Sequence, residues 1–323
     1  MNINNVIISG ATGAIGTALT SLCLSRGMNV LILTRAESKR NDRIPDDPHV
    51  KVKVCDYRDL DSVENDTGIT WDCFFHFAWA GTSGPGRNDM PLQTGNIRMS
   101  LSAVNLAKRF GCKKFVGAGS QAEYGRPYLN MVDDSSTAKA LVVIDDRYKL
   151  RPDTPTSPEM GYGYAKLCAG RMTRDHAQQL GLEHNWLRIL SVYGPNDGES
   201  SMINQAIALL KTGVSPELTK GEQIWDYVYS KDAAKAFLCV GENGVDGKTY
   251  VLGSGQERPL AEYMKTLRDI ISPNTELKLG ARPYGDKQIM YLAADSSELI
   301  KDTGYAPKYT FEQGIEDMLG KNS

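Results

Sequence analysis

A short apolar run followed by three spaced glycines is the feature that most constrains this fold. The segment NVIISGATGAIG covers residues 5–16, and its glycines stand at positions 10, 13 and 16. A parallel strand buried on both faces reads as a nearly continuous apolar run. Residues 14–22 then repeat apolar side chains at helical spacing. The segment therefore predicts a buried strand, a glycine-rich turn and a helix.

Glycines at a strand-to-helix turn indicate an anion-binding site. The first N–H groups of a helix lack internal partners and carry the positive end of the helix dipole, so a pyrophosphate can bind there. Gly10 would form the tight turn, Gly13 would admit the phosphates, and Gly16 would let helix and strand pack closely. The spacing is GxxGxxG rather than GxGxxG, and for this motif alone a turn without a ligand remains an alternative.

Strand-like and helical segments alternate along the first part of the chain. Further strands are predicted at residues 29–35, 52–57, 73–79, 113–120 and 185–194, and helices at 95–111 and 164–181. Such alternation is typical of right-handed βαβ units. It predicts an α/β fold with a doubly wound parallel Rossmann-type sheet.

The alternation breaks down after about residue 196, which indicates a second region. We predict a Rossmann-type dinucleotide-binding domain over residues 1–195 and a smaller C-terminal lobe over 196–323, mainly for substrate binding. One strand of this lobe could return to the sheet. Because ligands bind at the carboxyl edge of such sheets, we expect the lobe to cover that edge.

The charge balance favours a small-molecule partner. A formal net charge of −2 provides no basic field for nucleic acid or an anionic membrane. No apolar stretch approaches the ~18 residues of a spanning helix, and the N-terminus lacks signal-peptide features. The isolated cysteines predict reduced core thiols in a cytoplasmic protein, and the scattered histidines predict no metal site. The cysteines are Cys23, Cys55, Cys73, Cys112, Cys168 and Cys239.

The segment GYGYAK places Tyr162 and Lys166 four residues apart at the start of a helical pattern. This spacing puts both side chains on one face of a helix, where the ammonium would favour the ionised phenol. Such a pair can pass a proton to or from an alcohol oxygen. Ser120 ends a predicted strand at the same sheet edge, where its hydroxyl could bind the reacting oxygen. A packed tyrosine beside an exposed lysine is the alternative.

Taken jointly, the motifs resemble the extended short-chain dehydrogenases/reductases that act on nucleotide sugars, over nearly the whole chain. These motifs are the three glycines, Ser120, Tyr162, Lys166, SVYGP (191–195), WDYVYSKDAA (225–234) and GARPYGD (280–286). The resemblance implies that Tyr162 is the acid/base, that Lys166 is its partner and a ribose contact, and that Ser120 binds the substrate oxygen. It also implies a homodimer.

The resemblance extends to the cofactor and substrate residues. It implies that Asp56 and Tyr57 contact adenine, that Ala78 and Trp79 lie beside the cofactor, and that Asn96 matches a family asparagine. The predicted cofactor-binding residues are Gly10, Thr12, Gly13, Ala14, Ile15, Gly16, Thr34, Arg35, Asp56, Tyr57, Ala78, Trp79, Ala80, Lys166 and Val192. The predicted substrate-binding residues are Ser120, Gln121, Tyr162, Ser191, Trp225 and Arg282.

Three positions depart from the family pattern. Trp225 stands where an arginine usually binds the diphosphate, although Arg282 resembles a second such arginine. Ser191 stands where the family usually has asparagine or proline. The segment 126–158 is longer than the family pattern. The substrate contacts are therefore less completely matched than the catalytic set.

The residues after the second predicted strand favour NADP. An acid about 20 positions past the glycines usually binds the ribose hydroxyl of NAD, and a nearby arginine accommodates the phosphate of NADP. Here Thr34 and Arg35 stand in place of that acid, followed by Lys39 and Arg40. NAD remains an alternative, with Glu37 serving the hydroxyl.

The segment SQAEYG (120–125) limits the set of reactions that the family resemblance allows. Nucleotide-sugar 4,6-dehydratases of the resembling family have an Asp-Glu pair where Gln121 and Ala122 stand. The ending AEYG resembles reductases of nucleotide-linked 4-keto-6-deoxyhexoses, so an NADPH-dependent reductase is predicted. An NAD-dependent nucleotide-sugar 4-epimerase is the alternative. A non-catalytic NADP-binding regulator is a third, which the retained Ser120, Tyr162 and Lys166 oppose.

Overall fold

A parallel sheet of seven strands forms the centre of the computed structural model, which describes residues 1–126, 145–199, 201–285 and 287–321. Its strands are β1 (Asn5–Ser9), β2 (Asn29–Thr34), β3 (Val50–Val54), β4 (Cys73–His76), β5 (Lys114–Ser120), β6 (Glu183–Ile189) and β10 (Thr249–Leu252). The order is β10-β6-β5-β4-β1-β2-β3, and every neighbouring pair is parallel. The predicted Rossmann-type sheet is confirmed.

Helices cover both faces of this sheet, and shorter strands follow it. The helices are α1 (Ala14–Ser25), α2 (Met90–Arg109), α3 (Gly161–Gln179), α4 (Met202–Lys211), α5 (Ser230–Asn243), α6 (Leu260–Ile271), α7 (Ser297–Thr303) and α8 (Phe311–Met318). The shorter strands are β7 (Ser191–Tyr193), β8 (Ile224–Trp225), β9 (Tyr227–Tyr229), β11 (Arg258–Pro259) and β12 (Tyr291–Leu292). In the described residues, no helix is long and apolar enough to cross a bilayer.

Strand β1 lies inside the sheet, between β4 and β2, and its side chains are apolar on both faces. Ile7 pairs with Leu31 of β2 on one side and with Phe74 of β4 on the other. Val6 and Ile8 belong to the core beneath α1 and α5, and Ile7 belongs to the core beneath α2. This double burial explains the continuous apolar run at the start of the chain.

The region after residue 196 contributes both to the seven-stranded sheet and to a separate group of shorter strands and helices. Strand β10 pairs with β6, with Tyr250 opposite Leu187, and α5 packs in the same core as α1. Its remaining strands form a three-stranded sheet, β11-β8-β12, and β9 pairs with β7, which precedes residue 196. Their core contains Tyr193, Tyr263 and Phe311. The boundary at residue 195 therefore does not separate the sheet from everything that follows it.

Several predicted bounds differ from the structure. The strand predicted at 185–194 is two strands, because β6 continues the large sheet whereas β7 pairs with β9. The strand predicted at 52–57 is β3, which ends at Val54. Asp56 then caps a 3-10 helix by accepting a hydrogen bond from the Arg58 backbone. Helix α2 begins at Met90, before the predicted residue 95, and Asp89 caps its N-terminus.

The cysteine prediction is wrong at Cys168, which is exposed on α3, and Cys55 is only half-buried. The other four thiols are buried. Burial raises the pKa of Cys23 to about 12, because an apolar environment disfavours the thiolate. These four cysteines are therefore protonated core residues at neutral pH.

Candidate active site

The three glycines of the β1–α1 turn have different surroundings. Gly10 has φ +73°, and a Cβ there would lie 2.7 Å from the Ala78 backbone nitrogen. A Cβ on Gly16 would lie 2.3 Å from the Gly10 carbonyl oxygen. A Cβ on Gly13 would have only that oxygen nearby, at 3.6 Å. Gly10 and Gly16 are thus required by the protein's own packing, whereas Gly13 borders open space.

The N-terminus of α1 fits the pyrophosphate of a dinucleotide. Gly13 is the N-cap, no side chain caps the helix, and no acidic residue stands in its first turn. The open space beside Gly13 lets an anion approach these N–H groups and the positive end of the helix dipole.

A cavity of about 630 Å³ lies at the carboxyl edge of the sheet, beside the residues that follow β2, β3 and β4. Its lining includes Arg35, Asp56, Tyr57, Arg58, Trp79, Ala80, Asn96 and Arg98. The Tyr57 hydroxyl donates to the Leu33 carbonyl at 2.9 Å and accepts from the Gly10 amide at 3.4 Å. Hydrogen bonds from Arg58 lower the pKa of Asp56 to about 2. Asp56 is therefore an anionic acceptor at neutral pH.

The predicted cofactor-binding residues Thr34 and Arg35 have different surroundings. Arg35 is exposed and lines the cavity, whereas Thr34 is buried and its hydroxyl donates to Asn41 at 2.7 Å. Arg43, which the sequence did not single out, donates to the Thr12 carbonyl of the glycine turn at 3.0 Å. Two arginines therefore lie around the ribose end of the predicted dinucleotide site.

Ser120, Tyr162 and Lys166 come together at the carboxyl end of β5. The Ser120 side chain lowers the pKa of the Tyr162 phenol and accepts a hydrogen bond from the Ala122 amide at 3.1 Å. Lys166 donates to the Ala118 carbonyl at 2.7 Å, and its ammonium nitrogen lies 5.8 Å from the Tyr162 ring centroid. The structure thus brings the three predicted catalytic side chains into one group, in which Tyr162 and Lys166 are buried and Ser120 is half-buried.

Burial changes the acidity of this group. It raises the pKa of Tyr162, while the Ser120 hydrogen bond and the Arg87 charge act in the opposite direction. Burial also lowers the pKa of Lys166 to about 7, against the attraction of Glu123. A lysine with a pKa near neutrality can exchange a proton with neighbouring groups at physiological pH.

A buried ion pair supports the turn that carries Ser120. Glu123 accepts from the Ser120 amide at 2.9 Å and from the Trp186 indole at 2.9 Å through one oxygen. Its other oxygen accepts from Arg188 at 2.7 Å. The Glu123 side chain is 1% exposed and that of Arg188 is 8% exposed. This arrangement fixes the end of β5 from beneath the catalytic group.

Two side chains of α2 hold the loop after β4. Asn96 accepts from the Ala80 amide at 3.0 Å and donates to the Ala80 carbonyl at 2.9 Å. Gln93 accepts from the Trp79 indole at 2.9 Å and donates to the Gly86 carbonyl at 2.8 Å. The Trp79 ring is thereby held against Lys166, 3.6 Å from its nitrogen.

A second cavity, of about 360 Å³, lies among the C-terminal elements, with Ser191 of β7 in its lining. The predicted substrate residues Ser191, Trp225 and Arg282 all line it. The Trp225 indole donates to the Ser191 hydroxyl at 2.8 Å, and Arg282 is exposed. Gln121 lies apart from this lining, in the 3-10 helix that follows Ser120. Residues 127–144 of the long segment and Asp286 of GARPYGD fall outside the described residues.

A comparison with protein families decides the relationship. The model described as "NAD dependent epimerase/dehydratase family" matches residues 6–253. This chain belongs to that family. The family resemblance drawn from its sequence motifs is thereby confirmed. The prediction that the chain is an NAD(P)-dependent enzyme acting on nucleotide sugars is confirmed as well.

Three members of the epimerase/dehydratase family illustrate the similarity. CDP-abequose synthase of Salmonella typhimurium is 24% identical, and the alignment covers 97% of each chain. A UDP-glucose 4-epimerase structure from Thermotoga maritima, with UDP-glucose, has a TM-score of 0.80 at 20% identity, covering 98% of this chain and 97% of its own. A dTDP-glucose 4,6-dehydratase structure from Bacillus anthracis, with NAD, has a TM-score of 0.79 at 17% identity, covering 98% and 95%.

Some residues that contact the candidate site could not be found from local sequence motifs. Arg43, Arg87 and Gln93 reach the site through contacts that no local motif indicates. Glu123 did have a signal, because Ser120 and Glu123 form the S-x-x-E pattern of a capping box, and the structure shows both of its hydrogen bonds. This pattern marks where the turn after β5 begins.

Proposed function

We propose that this chain is an NADPH-dependent reductase of a nucleotide-linked 4-keto-6-deoxyhexose, acting as a cytoplasmic homodimer. The observation that carries the proposal is the meeting of Ser120, the buried Tyr162 and Lys166 at the carboxyl end of β5, where the Lys166 nitrogen lies 5.8 Å from the Tyr162 ring centroid. The full-length similarity to CDP-abequose synthase supports a nucleotide-linked sugar as the substrate.

The geometry supports proton transfer at a sugar oxygen. When bound, the reduced nicotinamide would supply the hydride to the fourth carbon of the sugar. Tyr162 would give its phenolic proton to the ketone oxygen as that oxygen gains negative charge. Ser120 would hydrogen-bond the same oxygen and hold it beside the phenol. The ketone thus gains one hydride and one proton and becomes an alcohol.

The turn after Ser120 opposes a dehydratase reaction. Gln121 and Ala122 occupy the positions of the acidic pair expected of a dehydratase, and neither side chain can serve as a carboxylic acid. Glu123 follows them, but its carboxylate is buried and paired with Arg188. A reductase or an epimerase therefore fits these residues better.

The second cavity supports binding of a nucleoside diphosphate. Arg282 offers a guanidinium group, which binds diphosphate oxygens with charge-assisted hydrogen bonds. Trp225 offers an aromatic surface in place of the usual arginine, and its indole N–H is already bonded to Ser191. We propose that this cavity holds the nucleotide part of the substrate and that the sugar extends toward Tyr162.

The deciding experiment follows nicotinamide absorbance at 340 nm. Purified protein is mixed with NADPH and a 4-keto-6-deoxyhexose linked to CDP, dTDP, GDP or UDP, with Tyr162→Phe as the control variant. A reductase consumes one NADPH per sugar reduced. An epimerase instead interconverts two sugars with no net change in absorbance. Tightly bound NAD together with indifference to NADPH would overturn the reductase proposal, and NADPH binding without turnover of any sugar would favour a regulator.

A further inference from the structure

The nearest cation to the Tyr162 ring is an arginine from a different element. The Arg87 guanidinium carbon lies 4.2 Å from the ring centroid, whereas the Lys166 nitrogen lies 5.8 Å from it. A guanidinium over an aromatic face at this distance is a cation–π contact. Two cations therefore lie near the tyrosine ring, and the closer one comes from the loop before α2.

Arg87 is held in place from several sides. It donates to the Thr82 carbonyl at 2.7 Å, and its Nε lies 3.3 Å from the Met160 sulfur. The neighbouring Asn88 accepts from the Gly161 amide at 2.9 Å, which joins this loop to the first residue of α3. Since α3 also carries Tyr162, these contacts fix the guanidinium and the phenol relative to each other.

Three groups act on the phenol electrostatically from the surrounding elements. Glu123 and Ser120 lie on the turn after β5, and Arg87 lies on the loop before α2. Lys166 lies on α3 itself, with its nitrogen 5.8 Å from the Tyr162 ring centroid. Ser120 and Arg87 lower the pKa of Tyr162, while burial and Glu123 raise it. Because burial lowers the pKa of Lys166 to about 7, that lysine loses its charge in mildly alkaline solution. An arginine stays charged throughout this range.

We propose that Arg87 is the permanent cation that stabilises the ionised form of Tyr162. The inference rests on the proposed function, in which Tyr162 transfers the proton. Arg87 acts through the tyrosine and is therefore a positioning residue. Lys166 is occupied by the Ala118 carbonyl and the Trp79 ring, so its charge is directed at those groups as well as at the phenol.

The test measures the ionisation of Tyr162 without any substrate. Protein labelled with carbon-13 at the tyrosine Cζ is titrated by NMR, and the Tyr162 signal is assigned by its loss in Tyr162→Phe. In Arg87→Met we expect the titration midpoint to rise by about one pH unit or more, because removing a nearby cation destabilises the phenolate. Arg87→Lys should recover part of the shift. Arg174→Met, which removes an exposed arginine further along α3, should change nothing.

The outcomes separate this inference from the proposed function. An unchanged Tyr162 midpoint in Arg87→Met, together with a raised midpoint in Lys166→Met, would overturn it. Arg87→Gln, which keeps a donor for the Thr82 carbonyl, is titrated in the same way should Arg87→Met fail to fold. If no nucleotide sugar is turned over, the proposed function fails, whereas the titration still reports whether Arg87 stabilises the phenolate. If turnover is found, the decline of kcat at high pH should move upward in Arg87→Met.

Discussion

The ammonium nitrogen of Lys166 lies 3.6 Å from the centroid of the Trp79 indole ring. The indole cannot easily turn away, because its N–H is bonded to Gln93, which is only 1% exposed. Lys166 therefore has an aromatic face on one side and the Ala118 carbonyl on the other. This enclosure both holds the ammonium and removes it from water.

The enclosure of Lys166 predicts a pH-dependent effect on stability. The pKa of this lysine is lowered to about 7, so below that pH the folded protein carries a buried charge. Between pH 7 and the unfolded value of about 10.4 the unfolded chain binds more protons, so this residue makes stability rise with pH. Removing it in Lys166→Met should raise Tm relative to wild type more at pH 6 than at pH 10. Equal Tm differences by calorimetry at both pH values would contradict this.

Tyr162→Phe should retain cofactor binding and lose most turnover. The substitution keeps the aromatic ring, its contact with Arg87 and its packing, and removes only the transferable proton. General acid catalysis contributes about a hundredfold or more, so we expect kcat to fall by at least that factor. Isothermal titration with NADPH checks binding, and sugar turnover checks kcat. Turnover near the wild-type rate would show that Tyr162 is not the acid.

The glycines of the β1–α1 turn should respond differently to a methyl group. In Gly13→Ala the new Cβ meets only the Gly10 carbonyl oxygen at 3.6 Å, so folding should be unaffected while the phosphates are blocked. In Gly16→Ala the Cβ would lie 2.3 Å from that oxygen, so Tm itself should fall. Thermal melting with and without NADPH distinguishes the two. A Gly13→Ala protein that is still stabilised by NADPH like wild type would refute the assigned phosphate position.

Arg35→Ala should weaken NADPH far more than NADH. A charge-assisted hydrogen bond to the 2′-phosphate contributes about 1.5–3 kcal/mol, which corresponds to at least roughly a tenfold change in Kd. Arg26→Ala is the matched control, because Arg26 is exposed at the end of α1 and does not line the cavity that Arg35 lines. Fluorescence titrations with both cofactors give the ratio. If the ratio of the NADPH and NADH dissociation constants is the same in both variants, Arg35 is only a solvated surface charge.

Glu123→Gln should destabilise the fold because it leaves Arg188 buried beside a neutral partner. Breaking a buried ion pair costs about 3–5 kcal/mol, whereas replacing both partners costs less. The double variant Glu123→Gln/Arg188→Met should therefore lose less free energy of unfolding than the sum of the single losses. Urea denaturation measures all three variants. Additive losses would mean that the two side chains do not stabilise each other.

The sheet and the catalytic group could be predicted because their signals are local. The glycine turn and the apolar strands each reflect a conformation or burial that a few adjacent residues determine. Tyr162 and Lys166 share one helix turn, and Ser120 ends a strand at the same edge. Their meeting follows from the fact that parallel strands present their carboxyl ends together.

The surroundings of the catalytic group could not be predicted, because they depend on long-range packing. The Glu123–Arg188 bond joins residues 65 positions apart, and the Arg87–Tyr162 contact needs the loop after β4 to dock on α3. The pKa of Lys166 depends on complete burial rather than on any spacing. Sequence spacing therefore predicted which of these groups meet, whereas their acidity follows from tertiary structure.

The late return of β10 to the large sheet affects how the chain can be assembled. Until residues 249–252 have left the ribosome, β6 has no partner on its outer side, and its backbone N–H and C=O groups remain open to pairing with another chain. Helix α5, which shares a core with α1, is also made late. A nascent chain that ends before β10 would thus expose an unpaired strand edge. It would avoid aggregation only if synthesis were rapid or if chaperones bound it.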